Sequence, residues 1–132
     1  MISNNSSKKS RVMKRVAKKY LKVWVAFVNL NAEEGYTFSD LLDFEGNPKE
    51  DCIGAVAFIA IESNDLRGAL EILTKGLHEL HFCAEFIYEI RNVHHLIECD
   101  ELSETDKEEI DWLIKSKYVF KILDKLWPYV EM

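Results

Sequence analysis

Proline and glycine are scarce in this chain: two prolines and five glycines in 132 residues leave few interruptions, so long regular elements are expected. Cysteine is scarce as well. Cys52, Cys83 and Cys99 are odd in number, widely spaced and without a C-x-x-C pair. That disfavours the even disulfide framework of a small secreted domain and points to a reducing compartment, by default the cytoplasm. Long apolar runs are missing too. Nothing approaches the ~18–20 residues that a membrane-spanning helix needs, and the stretch Val23 to Val28 is far shorter. A cleavable secretion signal does not fit, because the basic region before that stretch is long and no small-x-small site follows it. The Ser- and Lys-rich, acid-free residues 1–32 keep an organellar transit peptide as the alternative. Also absent are the phosphate-binding G-x-x-x-x-G-K loop, the G-x-S-x-G elbow, H-E-x-x-H and any paired catalytic carboxylates. These absences shift weight from catalysis toward binding.

What is present is a globular balance, 48% apolar and 30% charged, in a chain long enough for one domain with its own core. The net charge of -6 conceals an asymmetry. Residues 1–22 carry eight Lys or Arg and no acid, whereas residues 23–132 carry nine basic and 23 acidic residues, a net of -14. Such a split suggests two parts that attract each other, or that each meet an oppositely charged partner.

The apolar spacing reads as helical. Residues 1–7 are polar and expected to fray, and residues 8–132 are expected to form a single helical domain. Val12, Val16, Tyr20, Val23, Phe27 and Leu30 recur at steps of three or four, with Arg11, Arg15, Lys18 and Lys22 opposite. A connector over residues 31–48 holds one short helical turn at Ser39–Phe44. Asn47-Pro48 then reads as a helix start leading into a segment, to about Glu62, that is apolar nearly all round and suits the centre of a bundle. After Ser63-Asn64-Asp65 a third segment runs to about Ile97, with an apolar seam that shifts partway and an optional break near Gly76. Ser103 opens a last helix, with Asp106 placed as in a capping box and Pro128 at its end. The expected fold is all-α: an antiparallel bundle of about four main helices plus the short turn. Strands at Val23–Val28 and Ala55–Ile61, in a mixed α/β fold, are the alternative.

Four groups of residues invite a function. The basic face of Arg11, Lys14, Arg15, Lys18 and Lys22 suits phosphates of nucleic acid or another anionic surface, though no aromatics interleave to stack bases. The acidic residues Glu98, Asp100, Glu101, Glu104, Asp106, Glu108, Glu109 and Asp111 suit a partner protein with a basic surface, with Tyr36 and Phe38 as aromatic anchors. Only part of their density is accounted for by the preference of acids for helix N-termini. His78, His81 and Glu85 have the spacing for a shared metal on one helix face, but no further ligand completes a site, and neither metal nor cofactor is expected.

The last group is Arg91-Asn-Val-His-His95, in which an Arg and a His four apart on one helix can hold a phosphodiester and move a proton. This faintly resembles the helical HEPN ribonucleases, whose signature is Arg, four to six residues, then His. Here three residues intervene before His95 and two before His94, a departure in the defining feature. The resemblance implies metal-independent RNA cleavage by Arg91 and His95. The leading expectation is instead a small acidic binding protein, an inhibitor, immunity-type protein, adaptor or regulator. Nucleic-acid binding through the basic segment is the further alternative.

Overall fold

The computed structural model describes residues 16–41 and 52–130. The polar start at 1–7, the basic residues Lys8, Lys9, Arg11, Lys14 and Arg15, and the helix start at Asn47-Pro48 lie outside them.

The all-helical bundle is not what forms. Four strands, β1 (Val23–Ala32), β2 (Cys52–Glu62), β3 (Phe82–Asn92) and β4 (Phe120–Val130), make one sheet in the order β3-β1-β2-β4 with every neighbouring pair antiparallel. Among the described residues the helices are α1 (Phe38–Leu41), α2 (Leu66–Glu79), α3 (Val93–Glu98) and α4 (Glu104–Lys115), with a 3-10 turn at Lys18–Lys22 leading into β1. The alternative with strands at Val23–Val28 and Ala55–Ile61 is the one that describes this sheet.

Burial on both faces explains the misreading. The segment that is apolar nearly all round is β2, a central strand flanked by β1 and β4. A strand buried on both faces has no polar side and so no alternation to read. In β1, Trp24, Ala26, Val28 and Leu30 lie beside Ile61, Ile59, Ala57 and Ala55 of β2 on one face, which α2 covers with Ala69, Leu73 and Leu77. Val23 and Val25 point to the other face, where Ala60 and Leu123 meet Tyr20 of the 3-10 turn, Val93 and Leu96 of α3, and Ile110 and Leu113 of α4. The sheet therefore separates two cores.

The third expected helix is α2 followed by β3. Asp65 caps α2, accepting from the Gly68 N–H at 2.8 Å, and the helix runs unbroken through Gly76 to Glu79. The seam shift seen in the sequence is the change from helix to strand, turned at His81 with φ of 69°. The last helix starts where the sequence placed it: Ser103 accepts from the Asp106 N–H at 3.1 Å. It stops at Lys115, and the chain returns as β4. Pro128 sits inside this edge strand, opposite Ala55, rather than ending a helix. Proline is tolerated at a sheet edge because fewer ladder hydrogen bonds are lost there. β3, the other edge, carries two bulges. Both edges are thus poor templates for pairing with another strand.

Candidate binding face

The two faces of the sheet are not equally covered. Among the described residues, the 3-10 turn, α3 and α4 cover only the end of the second face near Val23, Ala60 and Leu123. Farther along, between β3 and β4, a cluster of aromatic rings remains at the surface. Phe27 of β1 lies 4.8 Å from Phe58 of β2 between ring centroids, 5.3 Å from Tyr88 of β3 and 5.9 Å from Trp127 of β4. Phe58 meets Trp127 edge-on at 5.7 Å, and Phe86 meets Tyr88 at 5.0 Å. All four strands contribute. The outer rings are half in solvent: Phe86 is 57%, Tyr88 49% and Trp127 45% exposed.

Bulges build this face. In the β1–β3 register, Phe27 pairs with Glu89 and Val28 with Ile87, so Tyr88 is an extra residue. Asn29 pairs with Phe86 and Leu30 with Ala84, so Glu85 is a second. Each bulge turns one more side chain toward the open face. Tyr88 thereby reaches Phe27, and the Glu85 carboxylate accepts from the Asn31 amide at 2.7 Å. Beyond the rings the floor becomes polar. The Tyr129 hydroxyl donates to the side-chain oxygen of Asn29 at 2.5 Å and lies 3.1 Å from that of Asn31. It crosses β2 at Gly54, where a Cβ would collide with Asn31 Oδ1 and lie 2.5 Å from the hydroxyl and 2.6 Å from the Leu30 carbonyl oxygen.

At the boundary of the covered half, a small pocket of about 130 Å³ opens between the sheet and the α3–α4 connection. Val25, Phe27, Phe58 and Leu123 floor it, and Glu89, Glu101 and Asp106 line it together with Arg91. Arg91 and Glu101 form a two-pronged ion pair at 3.0 and 3.3 Å, which holds the Glu101 carboxyl below the usual carboxylate range.

The residues singled out from the sequence fare unevenly. In the acidic run, Glu101 pairs with Arg91, Glu98 with His94 at 3.6 Å, and the buried Asp106 with Lys125 at 3.9 Å. Glu109 accepts from the Asp124 N–H, and burial raises its carboxyl pKa. Asp111 accepts from the Tyr20 hydroxyl and faces Lys19 at 3.5 Å. Asp100, in the left-handed region at φ of 59°, forms the turn after α3, and Glu104 and Glu108 lie exposed on α4. Much of the run therefore ties the chain to itself. Phe38 is a core residue, 3% exposed, with no ring to offer a partner. Tyr36 is half exposed and stacked on the His81 ring at 4.0 Å. His78 and His81 both turn toward Glu33, at 2.5 and 3.8 Å, and the hydrogen bond to Glu33 raises the His78 pKa. Glu85, four residues on from His81, accepts from Asn31 on the sheet instead of joining them. Among the described residues no three His, Cys, Asp or Glu side chains converge as metal ligands.

Arg91 is on strand β3 and His95 on helix α3, so the single helical turn that the HEPN resemblance requires does not exist. The Arg91 guanidinium is held by Glu101, and the His95 ring lies 3.6 Å from the Cys99 sulfur. Lys18 and Lys22 are the first and last residues of the 3-10 turn, both exposed. The rings of the open face, Phe27, Phe58, Phe86, Tyr88 and Trp127, were not legible as a group. Phe27 follows a helical step and Phe58 lies in the stretch that is apolar nearly all round, and only the pairing of the strands unites the five rings. None of the helices among the described residues is long and apolar enough to cross a membrane. In comparisons with known proteins the chain matches no family model, no curated protein and no solved structure.

Proposed function

We propose that this chain is a protein-binding module whose docking surface is the uncovered half of the sheet's second face. The observation that carries this is the continuous aromatic surface of Phe27, Phe58, Phe86, Tyr88 and Trp127, contributed by all four strands and left without a covering element among the described residues. Large rings at a surface give much contact area for little ordering entropy, and Trp and Tyr dominate the energetic centres of protein interfaces. Docking on the face rather than along an edge fits the bulges of β3 and the proline of β4. Glu85 and Glu89 beside the rings disfavour a phosphate backbone on this surface and favour a partner with basic groups. Compared with the expectation from the sequence, the binding role is retained and its location moves from the acidic run to the sheet.

The test is affinity capture from the native host's lysate with the tagged full chain, washed at high salt, beside the variants Trp127→Ala and Tyr88→Ala. One stoichiometric protein held by the wild type and lost by both variants, with a cooperative urea unfolding transition retained, is the expected result. A partner retained by both variants but lost when Glu104 and Glu108 are neutralised would return the docking site to the acidic run and overturn the proposal. Nucleic acid alone, released by salt, would overturn it as well.

A further inference from the structure

Asp106 is the one buried charged residue among the described residues, with its side chain 8% exposed. A buried carboxylate is costly unless it is paired and hydrogen-bonded. Its N–H is used by the Ser103 cap, but among the described residues its carboxylate has no hydrogen bond, only the Lys125 ammonium at 3.9 Å. That ammonium also lies 6.0 Å from the centre of the Phe58 ring and 5.9 Å from that of Trp127. Two ring faces and a carboxylate, from β2, β4 and α4, thus surround one cation at the rim of the aromatic face. Cations are attracted to the faces of aromatic rings within about 6 Å, and more strongly where water is excluded.

Lys125 is a loosely held occupant. It is half exposed, and it sits where the β2–β4 register jumps from Ile59 opposite Ile122 to Ala57 opposite Leu126. Its stem is therefore not fixed by regular pairing with β2. Beside it the pocket of about 130 Å³ brings Glu89 and Glu101 toward Asp106, against the single guanidinium of Arg91, which Glu101 already holds. The volume is close to that of a cavity that admits a benzene ring, about 150 Å³, which suits the end of one side chain and not a metabolite-sized ligand.

We infer that the corner formed by Phe58, Trp127 and Asp106 is a cation-receiving site that takes an arginine or lysine side chain of the docked partner in place of Lys125. This deepens the protein-binding proposal and rests on it for the source of the side chain. An incoming guanidinium lies flat on the rings and offers paired N–H groups to Asp106, which the distant Lys125 ammonium does not. The partner then presents a basic residue next to apolar ones: the basic group for the corner and the apolar groups for the rings.

The experiment is a titration of full-length protein with N-acetyl-arginine methylamide and its uncharged isostere N-acetyl-citrulline methylamide. The readout is the indole N–H resonance of Trp127, assigned with Trp127→Phe. In Lys125→Gln the arginine probe is expected to shift this resonance saturably and to bind at least tenfold more tightly than citrulline. The wild type, with Lys125 competing, binds the arginine probe more weakly than Lys125→Gln. Adding Asp106→Asn abolishes the preference for charge. Should that variant unfold, Phe58→Leu gives the same test, with a loss of arginine binding expected. No saturable shift in Lys125→Gln, or equal binding of the two probes, would overturn the inference. Charge-selective probe binding, with partner capture indifferent to Trp127→Ala, would keep the corner and refute the docking face. Capture that needs Trp127, with no charge selectivity among probes, would refute the corner alone.

Discussion

Single residues hold the open face in shape, and Gly54 shows how. Its missing side chain is the gap through which Tyr129 reaches from β4 across β2 to Asn29 and Asn31 on β1. The Leu30 carbonyl in that gap is backbone and does not yield, so Gly54→Ala is expected to destabilise the fold by about 1–3 kcal/mol, the usual range for overpacking. Tyr129→Phe alone costs about 0.5–1.5 kcal/mol, the net worth of a hydrogen bond. In the Gly54→Ala background that cost shrinks, because the added methyl has already displaced the hydroxyl; urea midpoints of the four proteins check this. Tyr20 is a second such residue, tying the 3-10 turn to α4. Burial first, and then its hydrogen bond to Asp111, push its phenol up to about 12. An unfolded tyrosine titrates near ~10, so the unfolded chain loses this proton first. The stabilisation is complete below that value and disappears as pH rises toward the folded one. The stability difference between wild type and Tyr20→Phe should be constant from pH 7 to 9 and collapse at higher pH, read from urea unfolding at each pH. A difference that persists at pH 12 would count against the phenol as its origin.

At the scale of elements, the packing of α2 on β4 depends on Gly76. A Cβ there would lie 2.7–2.9 Å from Cδ2, Cγ and Cε2 of Phe120, inside the ring's contact distance. The glycine that resembled a helix break is instead a seat for this ring. Helix propensity alone favours alanine over glycine by about 1 kcal/mol, so two effects of opposite sign meet. Gly76→Ala is expected to destabilise the wild type and to stabilise a Phe120→Ala background, a reversal that a double-mutant cycle in urea detects directly. Helix starts were legible where a side chain caps them, as at Ser103. Strands were not, for reasons that lie in particular residues. Val23, Phe27 and Leu30 follow helical steps, yet Val23 and Phe27 point to one face and Leu30 to the other. Since both faces carry apolar side chains along this strand, any spacing finds apolar residues. In β3, the bulge at Tyr88 sets Ile87 and Ile90 three apart on the same face, which imitates a helical step inside a strand. Local periodicity reports which residues are buried, but only pairing with distant strands fixes the direction each one faces.

Across the whole molecule, the charge asymmetry read from the sequence becomes partly internal. Lys19 meets Asp111 and Arg91 meets Glu101, so these acids, which looked available for a partner, join elements of this chain instead. The partner-facing property left over is the aromatic surface, which no count of charge or composition could locate. A surface kept for binding and a surface kept for stability respond differently to truncation. Trp127 and Tyr88 are each about half exposed, so only about half of their apolar area is removed from water on folding. Trp127→Ala and Tyr88→Ala should each lower stability by about 1–2 kcal/mol, about half of what a fully buried large side chain contributes. Rings at the centre of an interface typically cost about 2 kcal/mol or more of binding, roughly thirtyfold in affinity. Leu73→Ala, on the opposite and fully covered face, is the control: about 2–5 kcal/mol of stability and no change in affinity for the molecules that remain folded. Measuring urea midpoints and partner affinity for these three variants separates the two roles. Large stability losses for Trp127→Ala and Tyr88→Ala with affinity unchanged would make the ring cluster an outer core rather than a docking face.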